Sequence, residues 1–435
     1  MVHYHIVGGK KLSGSIATGS GKNSPIALIC ASLLMKGVVR LGGITPVEEI
    51  NRILEVLVSI GVRVSWEKQD TLVIDTTGKI TPEKMDKTVA AKVRIALLLF
   101  GALAAKFPTF KVYRTGGCDL GERTIQPHTR ALAKLGISIG HKSEYYDVRV
   151  KTLRGAHVTM YESSDTATEN VIMAAVLAKG TTKITFASAN YMVQDLCYFL
   201  NECGANIRGI GTTTLIIEGV QVLNPPAVYH PIPDPVDAMA WISLAVTTAS
   251  PLTITQCPVD FLELELEYLS MMGQKIVRSK TYTSKNGHFE LMDVTLPVSK
   301  LHANHDKLHP RPYPGLNIDA IPLFMPILTR AKGRTLVHDW IYENRALYAL
   351  DLQKLGAKVT LLDPHRVWIE GQTQLRGGEL VCPPALRPGM ALLIAMLSAK
   401  GESTLRNAYM IERGYGDVAK RLKTLGADIR RVTQS

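Results

Sequence analysis

A short phrase recurs six times along the chain, and this repeat constrains the fold more than any other feature. Each copy is an amphipathic helical pattern that ends in an apolar residue or cysteine, then Gly, and continues directly into an apolar segment typical of a strand. Glycine suits the position just past a helix end, where a left-handed backbone conformation is needed. Roughly seventy to eighty residues separate the successive glycines, which are Gly61, Gly136, Gly204, Gly273, Gly356 and Gly426. The pattern predicts six copies of one structural unit.

A second helical pattern precedes each of these copies and is apolar around nearly its whole circumference. These segments begin near residues 24, 93, 169, 236, 318 and 388. A helix without a polar face must be surrounded by protein. We therefore predict an α/β fold in which each unit contributes a buried helix, an amphipathic helix and strands, with the helices inside and the sheets outside.

The six units divide into two sets of three. With 435 residues the chain is too long for one ordinary hydrophobic core. A Pro-rich segment, 224–237, lies between the third and fourth units, and the first twenty residues are too short to form a unit. We predict one domain of residues 22–233, which carries a loop around Cys118. The other comprises residues 1–21 and 234–435.

Composition restricts the class of function. The amino terminus lacks the apolar segment of a signal peptide, and the apolar runs are shorter than the ~20 residues of a membrane span, so we predict a cytoplasmic protein without a membrane partner. The six cysteines show no metal-ligand spacing, and neither a metal nor a cofactor is predicted. The net charge of +12 favours anionic partners. Because the basic residues form no run, a small anion is favoured over nucleic acid.

The segment 114–124 is the first candidate for chemistry. Three glycines bracket Cys118, and Arg114 and Arg123 lie on either side of it. Neighbouring cations favour the thiolate form of cysteine, and glycines allow a loop to move. The alternative is a tight surface turn with an incidental cysteine.

Charged residues collect where predicted helices begin. Helix amino termini carry free N–H groups and a partial positive charge, so they attract anions. Basic residues there oppose the dipole and indicate a bound anion, whereas Asn23, Asp234 and Asp319 can instead be helix caps. Such a set of charges suits a site that binds a phosphorylated acid while a hydroxyl group is deprotonated. Asp319 is the carboxylate that we assign to this proton. The residues are Lys22, Asn23, Arg94, Arg123, Asp234, Asp319, Arg345, Arg387 and Arg413.

At these positions the sequence resembles the enolpyruvyl transferase family, most closely the UDP-N-acetylglucosamine enolpyruvyl transferases and more distantly the EPSP synthases. The shared motifs span the chain: GGKKLSG at 8–14, SGKN at 20–23, VRIALLLFG at 93–101, GGCDLGER at 116–123, TATENVIMAAVLAKGTT at 166–182, YENR at 342–345 and ERGYGDVAKRLKTLGADI at 412–429. The resemblance implies two inverse α/β domains, each a three-fold βαβαββ repeat, with the active site in the cleft between them. It also implies phosphoenolpyruvate as a substrate.

The resemblance assigns roles position by position. It implies that Lys22, Arg123 and Arg413 bind phosphoenolpyruvate, supported by Arg94, Arg345 and Arg387. Cys118 matches a loop cysteine that reacts with phosphoenolpyruvate and with fosfomycin. Asn23 and Asp319 match residues that face the acceptor hydroxyl, Asp234 matches a cleft aspartate, and Ser164 lies in the nucleotide loop.

Three residues depart from the family pattern around the nucleotide: Glu48, Gln126 and Glu162. Carboxylates near a diphosphate would repel it. The acceptor is therefore open between UDP-N-acetylglucosamine, as in peptidoglycan precursor synthesis, and another nucleotide such as UMP, as in nucleoside antibiotic metabolism. A non-catalytic anion-binding homologue is a further alternative, which the retained thiol and carboxylate disfavour.

Overall fold

The computed structural model describes residues 2–92, 94–114, 124–304 and 306–433. Two residues of the predicted site, Cys118 and Arg123, lie outside these ranges. The chain divides into two compact units. The N-terminal unit contains the described residues between 20 and 232, and the C-terminal unit contains those from 233 onward together with residues up to 19.

The α-helices of the described ranges are short to medium in length. They are α1 (Asn23–Ala31), α2 (Glu48–Ser59), α3 (Lys87–Ala90), α4 (Leu99–Ala104), α5 (Gln126–Lys134), α6 (Asp165–Ala175), α7 (Tyr191–Glu202), α8 (Pro235–Thr247), α9 (Glu263–Met271), α10 (Ile321–Leu328), α11 (Ala349–Lys354), α12 (Leu386–Ser398), α13 (Tyr409–Tyr415) and α14 (Val418–Thr424). Turns of 3-10 helix lie at Ser32–Leu34, Pro82–Lys84, Arg94–Leu98, Val259–Phe261 and Arg345–Tyr348. Within the described ranges, no helix has the length and hydropathy to cross a bilayer.

The strands of the N-terminal unit are β3 (Val38–Leu41), β4 (Arg63–Glu67), β5 (Thr71–Asp75), β6 (Thr109–Tyr113), β7 (Ile137–His141), β8 (Tyr145–Val150), β9 (His157–Thr159), β10 (Thr181–Thr185), β11 (Asn206–Arg208) and β12 (Thr214–Glu218). They form three sheets, in the orders β3-β5-β4, β6-β8-β7 and β11-β12-β10-β9. The helices α1, α4 and α6 are almost wholly buried, whereas the strands alternate between buried and accessible positions. Each sheet therefore covers the helices with one face.

The C-terminal unit follows the same plan, and the start of the chain takes part in it. Its strands are β1 (Val2–Gly8), β2 (Gly14–Ala17), β13 (Leu252–Pro258), β14 (Val277–Arg278), β15 (Tyr282–Thr283), β16 (Glu290–Leu296), β17 (Gly333–His338), β18 (Lys358–Asp363), β19 (Arg366–Gly371), β20 (Glu379–Val381), β21 (Gly401–Arg406) and β22 (Asp428–Thr433). The sheet orders are β14-β16-β13-β2 with β15 paired to β16, β17-β19-β18, and β20-β21-β1-β22. The buried helices here are α8, α10 and α12. Helices inside and sheets outside confirm the predicted fold class.

The six repeated glycines occupy the predicted place in every copy. Each stands two residues after the last residue of α2, α5, α7, α9, α11 or α14 and has a φ between 88° and 101°. In five of the six copies the residue that follows donates its N–H back into the last turn, as Val62 does to Leu57 at 3.1 Å. This is the geometry by which a helix ends in one left-handed residue, and glycine adopts it without a steric cost.

Candidate active site

The C-terminal unit places Asp319 between two arginines. Arg387 approaches it with Nε at 3.2 Å from Oδ2, and Arg345 with Nη1 at 3.7 Å from Oδ1. The Nη2 atom of Arg387 also lies 3.9 Å from Oδ2 of Asp234. Both guanidinium side chains are buried, whereas the side chain of Asp319 is 29% exposed. Asp319 is therefore the carboxylate of this cluster that a second reactant can reach.

The local elements explain why these side chains converge. Asp234 is the N-cap of α8 and accepts the Val236 N–H at 2.8 Å. Arg387 lies in the first turn of α12, where a cation opposes the helix dipole and needs an anionic partner. Asp319 precedes α10 without capping it, since Ala320 is the N-cap. The cap interpretation thus holds for Asp234, which is also ion-paired, and is wrong for Asp319.

A carboxylate that the sequence did not single out anchors Arg345. Asp339 follows β17 and is fully buried, and both of its oxygens accept from Arg345, each at 2.7 Å. Burial alone would lower the pKa of Arg345, but the Asp339 carboxylate, together with Tyr342 and Asp319, outweighs it, so that the pKa is raised. The rings of Tyr342 and Tyr415 cover the guanidiniums of Arg345 and Arg387 at 4.5 Å and 5.0 Å. Cation–π contact with the ring faces further fixes both arginines.

Arg413 occupies a different position from the one the sequence predicted. It was expected at the start of an amphipathic helix but lies in the last turn of α13, where a cation is favourable for the dipole. The dipole argument for a bound anion therefore fails for this residue. Its Nη1 lies 3.7 Å from the sulfur of Met410, and α13 packs on α12, which carries Arg387.

The N-terminal unit gathers a second set around the start of α1. Lys22 is the N-cap residue and donates from Nζ to Oδ1 of Asn23 at 3.1 Å. Asn23 in turn donates from Nδ2 to the buried hydroxyl of Tyr191 at 3.0 Å. Asn23 makes no cap bond, so the cap interpretation is wrong here as well. Its amide is held by Tyr191 instead.

The start of α6 lies beside this set. Ser164 caps the helix by accepting the Ala167 N–H at 3.4 Å. Asp165 accepts from Ser188 at 2.5 Å and from the Asn190 side chain at 3.2 Å, and Asn190 is the N-cap of α7, the helix that begins with Tyr191. A hydrogen-bonded series therefore connects the starts of α6 and α7 with Asn23.

Arg94 begins a 3-10 helix that packs against α6. His128, on α5, is buried, and its Nδ1 accepts from Nδ2 of Asn170 at 2.9 Å. Burial lowers the pKa of His128 to about 4, and the charge of Arg94 contributes to the shift. His128 is thus a neutral imidazole that links α5 to the Arg94 region, and it was not among the predicted residues.

The three departures around the nucleotide site have different surroundings. Glu48 begins α2 and pairs with Arg52 on the same helix at 2.6 Å, so its charge is already matched. Gln126 begins α5, and Glu162 is exposed two residues before Ser164. Of the three, Glu162 is the carboxylate best placed to repel an anion at the start of α6.

Comparison of the chain with known protein families gives the same family as the sequence motifs. A family model described as EPSP synthase (3-phosphoshikimate 1-carboxyvinyltransferase) matches residues 6–422. The chain belongs to this family of 1-carboxyvinyl (enolpyruvyl) transferases. The resemblance stated from the sequence motifs is confirmed.

Relatives within the EPSP synthase family match over the whole length. The UDP-N-acetylglucosamine 1-carboxyvinyltransferases of Bradyrhizobium diazoefficiens and Borreliella burgdorferi are each 34% identical to the chain and are covered to 99%. Among solved structures, the enolpyruvyl transferase NikO from Streptomyces tendae has a TM-score of 0.85 at 23% identity, with 100% of this chain and 99% of that chain covered. An EPSP synthase from Acinetobacter baumannii has a TM-score of 0.74 at 17% identity, with both chains covered completely. These two structures support the two-domain fold.

Proposed function

We propose that the protein transfers the enolpyruvyl group of phosphoenolpyruvate to a hydroxyl of UDP-N-acetylglucosamine and releases phosphate. The acceptor hydroxyl loses its proton, its oxygen forms a bond to C2 of phosphoenolpyruvate, and the bond from C2 to the phosphate oxygen breaks. The product keeps the enolpyruvyl group as an ether, and phosphate carries away the proton. Relatives of matching length and 34% identity that bear this activity in their names support the choice of acceptor.

The observation that carries the chemistry is the partly exposed Asp319 carboxylate between Arg345 and Arg387. A general base needs an accessible carboxylate in a fixed orientation. Asp319 takes the proton of the acceptor hydroxyl, and Asn23 faces that hydroxyl. Lys22, Arg123 and Arg413 bind phosphoenolpyruvate, with support from Arg94 and Arg387. Cys118 is the reactive thiol, and the protein acts in the cytoplasm without nucleic acid.

A nucleotide with a single phosphate group, such as UMP, is the second candidate acceptor. The exposed Glu162 favours it, because this carboxylate precedes Ser164 at the start of α6 and would repel a diphosphate there.

The test is phosphate release from phosphoenolpyruvate with each acceptor separately, with the product identified by mass spectrometry. UDP-N-acetylglucosamine should be converted, and Asp319→Asn should reduce turnover by about 10²–10⁴. Asp363→Asn, at an exposed ion pair of the same unit, is the control and should keep full turnover. Conversion of UMP alone would select the second acceptor. No phosphate release with any nucleotide, or full turnover of Asp319→Asn, would overturn the mechanism.

A further inference from the structure

Glu265 is a buried carboxyl that the proposed reaction does not use. It lies on α9 with 3% of its surface exposed, among the buried residues Leu266 and Leu269 of the same helix. Within the part of the chain that the structure describes, no lysine, arginine or histidine pairs with it. Burying a carboxyl without a cation costs free energy, and an aliphatic side chain would fit this position at lower cost. The burial of this carboxyl is therefore not explained by stability.

The hydrogen bond of Glu265 connects it to the turn that carries Asp319. Oε1 of Glu265 accepts the Asn317 N–H at 3.1 Å, and Oδ1 of Asn317 accepts the Asp319 N–H at 2.9 Å. Two bonds in series thus connect α9 to the backbone of Asp319. The residue between them, Ile318, is fixed through its carbonyl, which accepts from Nη2 of Arg345 at 2.6 Å. The turn 317–319 is held by Glu265 and Arg345 at successive residues.

We propose that Glu265 is a positioning residue, which fixes the turn 317–319 and thereby holds the Asp319 carboxylate in its place between Arg345 and Arg387. The catalytic part of this inference depends on the proposed function, since it takes Asp319 as the proton-handling group. An error of about 1 Å in the placement of such a group can reduce a rate a hundredfold. Burial raises the pKa of Glu265 to about 7, although the backbone N–H bond acts against this shift. Both ionisation states offer an acceptor oxygen to Asn317, so a neutral acceptor is sufficient.

The experiment compares Glu265→Leu, which removes the acceptor, with Glu265→Gln, which keeps it. The control is Glu263→Gln, because Glu263 lies on the same helix but is exposed and pairs with Arg278 at 2.6 Å. For each full-length variant we would measure kcat and KM for both substrates, the melting temperature, and hydrogen exchange of the amides at 317–319.

Glu265→Leu should lower kcat at least tenfold, leave KM for phosphoenolpyruvate within twofold, and speed exchange at 317–319 at least tenfold, with an unchanged or higher melting temperature. Glu265→Gln should keep kcat within threefold of the wild type, and Glu263→Gln should change neither kcat nor exchange. A merely structural role would instead lower the melting temperature of Glu265→Leu and leave kcat intact.

Two results would overturn the inference: unchanged exchange and kcat in Glu265→Leu, or a loss in Glu265→Gln as large as in Glu265→Leu. Failure of the proposed function is distinguishable. In that case the wild type would release no phosphate, yet Glu265→Leu would still speed exchange at 317–319, which supports the positioning of the turn by itself.

Discussion

At the residue scale, two arginines of the candidate site have their charge matched inside the protein. Arg345 is held by both oxygens of Asp339, and Arg387 by Asp319 and Asp234. An arginine whose charge is matched inside the protein contributes less to an incoming anion than one that turns toward it. Under the proposed function, Arg413 is the arginine of the C-terminal unit that binds phosphoenolpyruvate directly, with Arg387 in support.

We expect Arg413→Ala to weaken phosphoenolpyruvate binding tenfold or more, because a charge-assisted hydrogen bond typically contributes ~1.5–3 kcal/mol. Calorimetric titration of the full-length protein measures the effect. Arg406→Ala is the control, since Arg406 is an exposed arginine that pairs with Glu379 in the same unit. Equal affinities for Arg413→Ala and the wild type would remove Arg413 from the phosphoenolpyruvate site.

The described cysteines are all in surroundings that suppress the reactivity of a thiol. The five described thiols, Cys30, Cys197, Cys203, Cys257 and Cys382, are buried. Burial raises the pKa of each, to about 12 for Cys203, Cys257 and Cys382. A thiol reacts as the thiolate and only where a reagent can reach it. These five should therefore be inert in the folded protein.

We accordingly expect fosfomycin, added with the nucleotide acceptor, to modify Cys118 alone in the native protein. Peptide mass analysis locates the adduct. As a control, iodoacetamide in strong denaturant should label all six cysteines. An adduct on one of the five buried cysteines, or none on Cys118 while turnover is measurable, would contradict the assignment.

At the scale of elements, the pair of Asp339 and Arg345 joins the end of β17 to the 3-10 helix before α11. Removing one partner of a buried ion pair leaves the other charge uncompensated and typically costs about 3–5 kcal/mol. We expect Asp339→Asn to destabilise the protein by about that amount, measured as a lower urea midpoint. Asp363→Asn, at an exposed pair, should leave the urea midpoint close to that of the wild type. Equal midpoints for the two variants would show that the buried pair is not needed for stability.

Helix α5 carries His128, which makes the stability of the folded protein depend on pH. Its pKa is about 4 in the folded protein and about 6.5 when unfolded. Between these values the unfolded chain binds the proton and the folded chain does not, so stability is lost as the pH falls from 6.5 toward 4. The difference corresponds to about 3 kcal/mol.

His128→Gln should therefore lose less stability than the wild type between pH 6.5 and 4.5, while His141→Gln, at an exposed position, should follow the wild type. Urea midpoints at several pH values give the comparison. Parallel curves for His128→Gln and the wild type would mean that His128 is protonated in the folded state.

At the scale of the whole molecule, the start of the chain belongs to the unit formed by its second half. Strand β1 lies between β21 and β22, and its residues Tyr4 and Ile6 are buried. Strand β2 pairs with β13 in parallel. Because β1 is internal, its absence would leave β22 without a neighbouring strand and expose the apolar face beneath β1.

We expect deletion of residues 2–17 to prevent the C-terminal unit from folding. Limited proteolysis should then degrade that unit, whereas in the full-length chain it should be resistant. Adding a synthetic peptide of residues 1–17 should restore part of the resistance. A truncated protein that resists proteolysis as well as the full chain would show that β1 is dispensable.

The sequence by itself determined the features that depend on neighbours along the chain. The repeat, the buried helices and the left-handed glycines follow from apolar periodicity and from the backbone freedom of glycine, both of which are local. The positions of Lys22, Asn23, Asp234 and Arg387 near helix starts followed from the same patterns. The position of Arg413 did not follow from the sequence pattern, because the short helix α13 ends just after this residue and a new helix begins at Val418.

Only the tertiary structure decided which side chains meet. Asn23 and Tyr191 are 168 residues apart in sequence, Asp319 and Arg387 are 68 apart, and Glu265 and Asn317 are 52 apart. Each of these contacts joins different copies of the repeat. No local pattern identifies Glu265 as a positioning residue or Asp339 as the partner of Arg345, because a carboxylate on a helix or after a strand is ordinarily solvated. Glu265 is buried where its copy of the repeat meets the next one, and Asp339 is buried with Arg345 in an ion pair that only the folded chain removes from water.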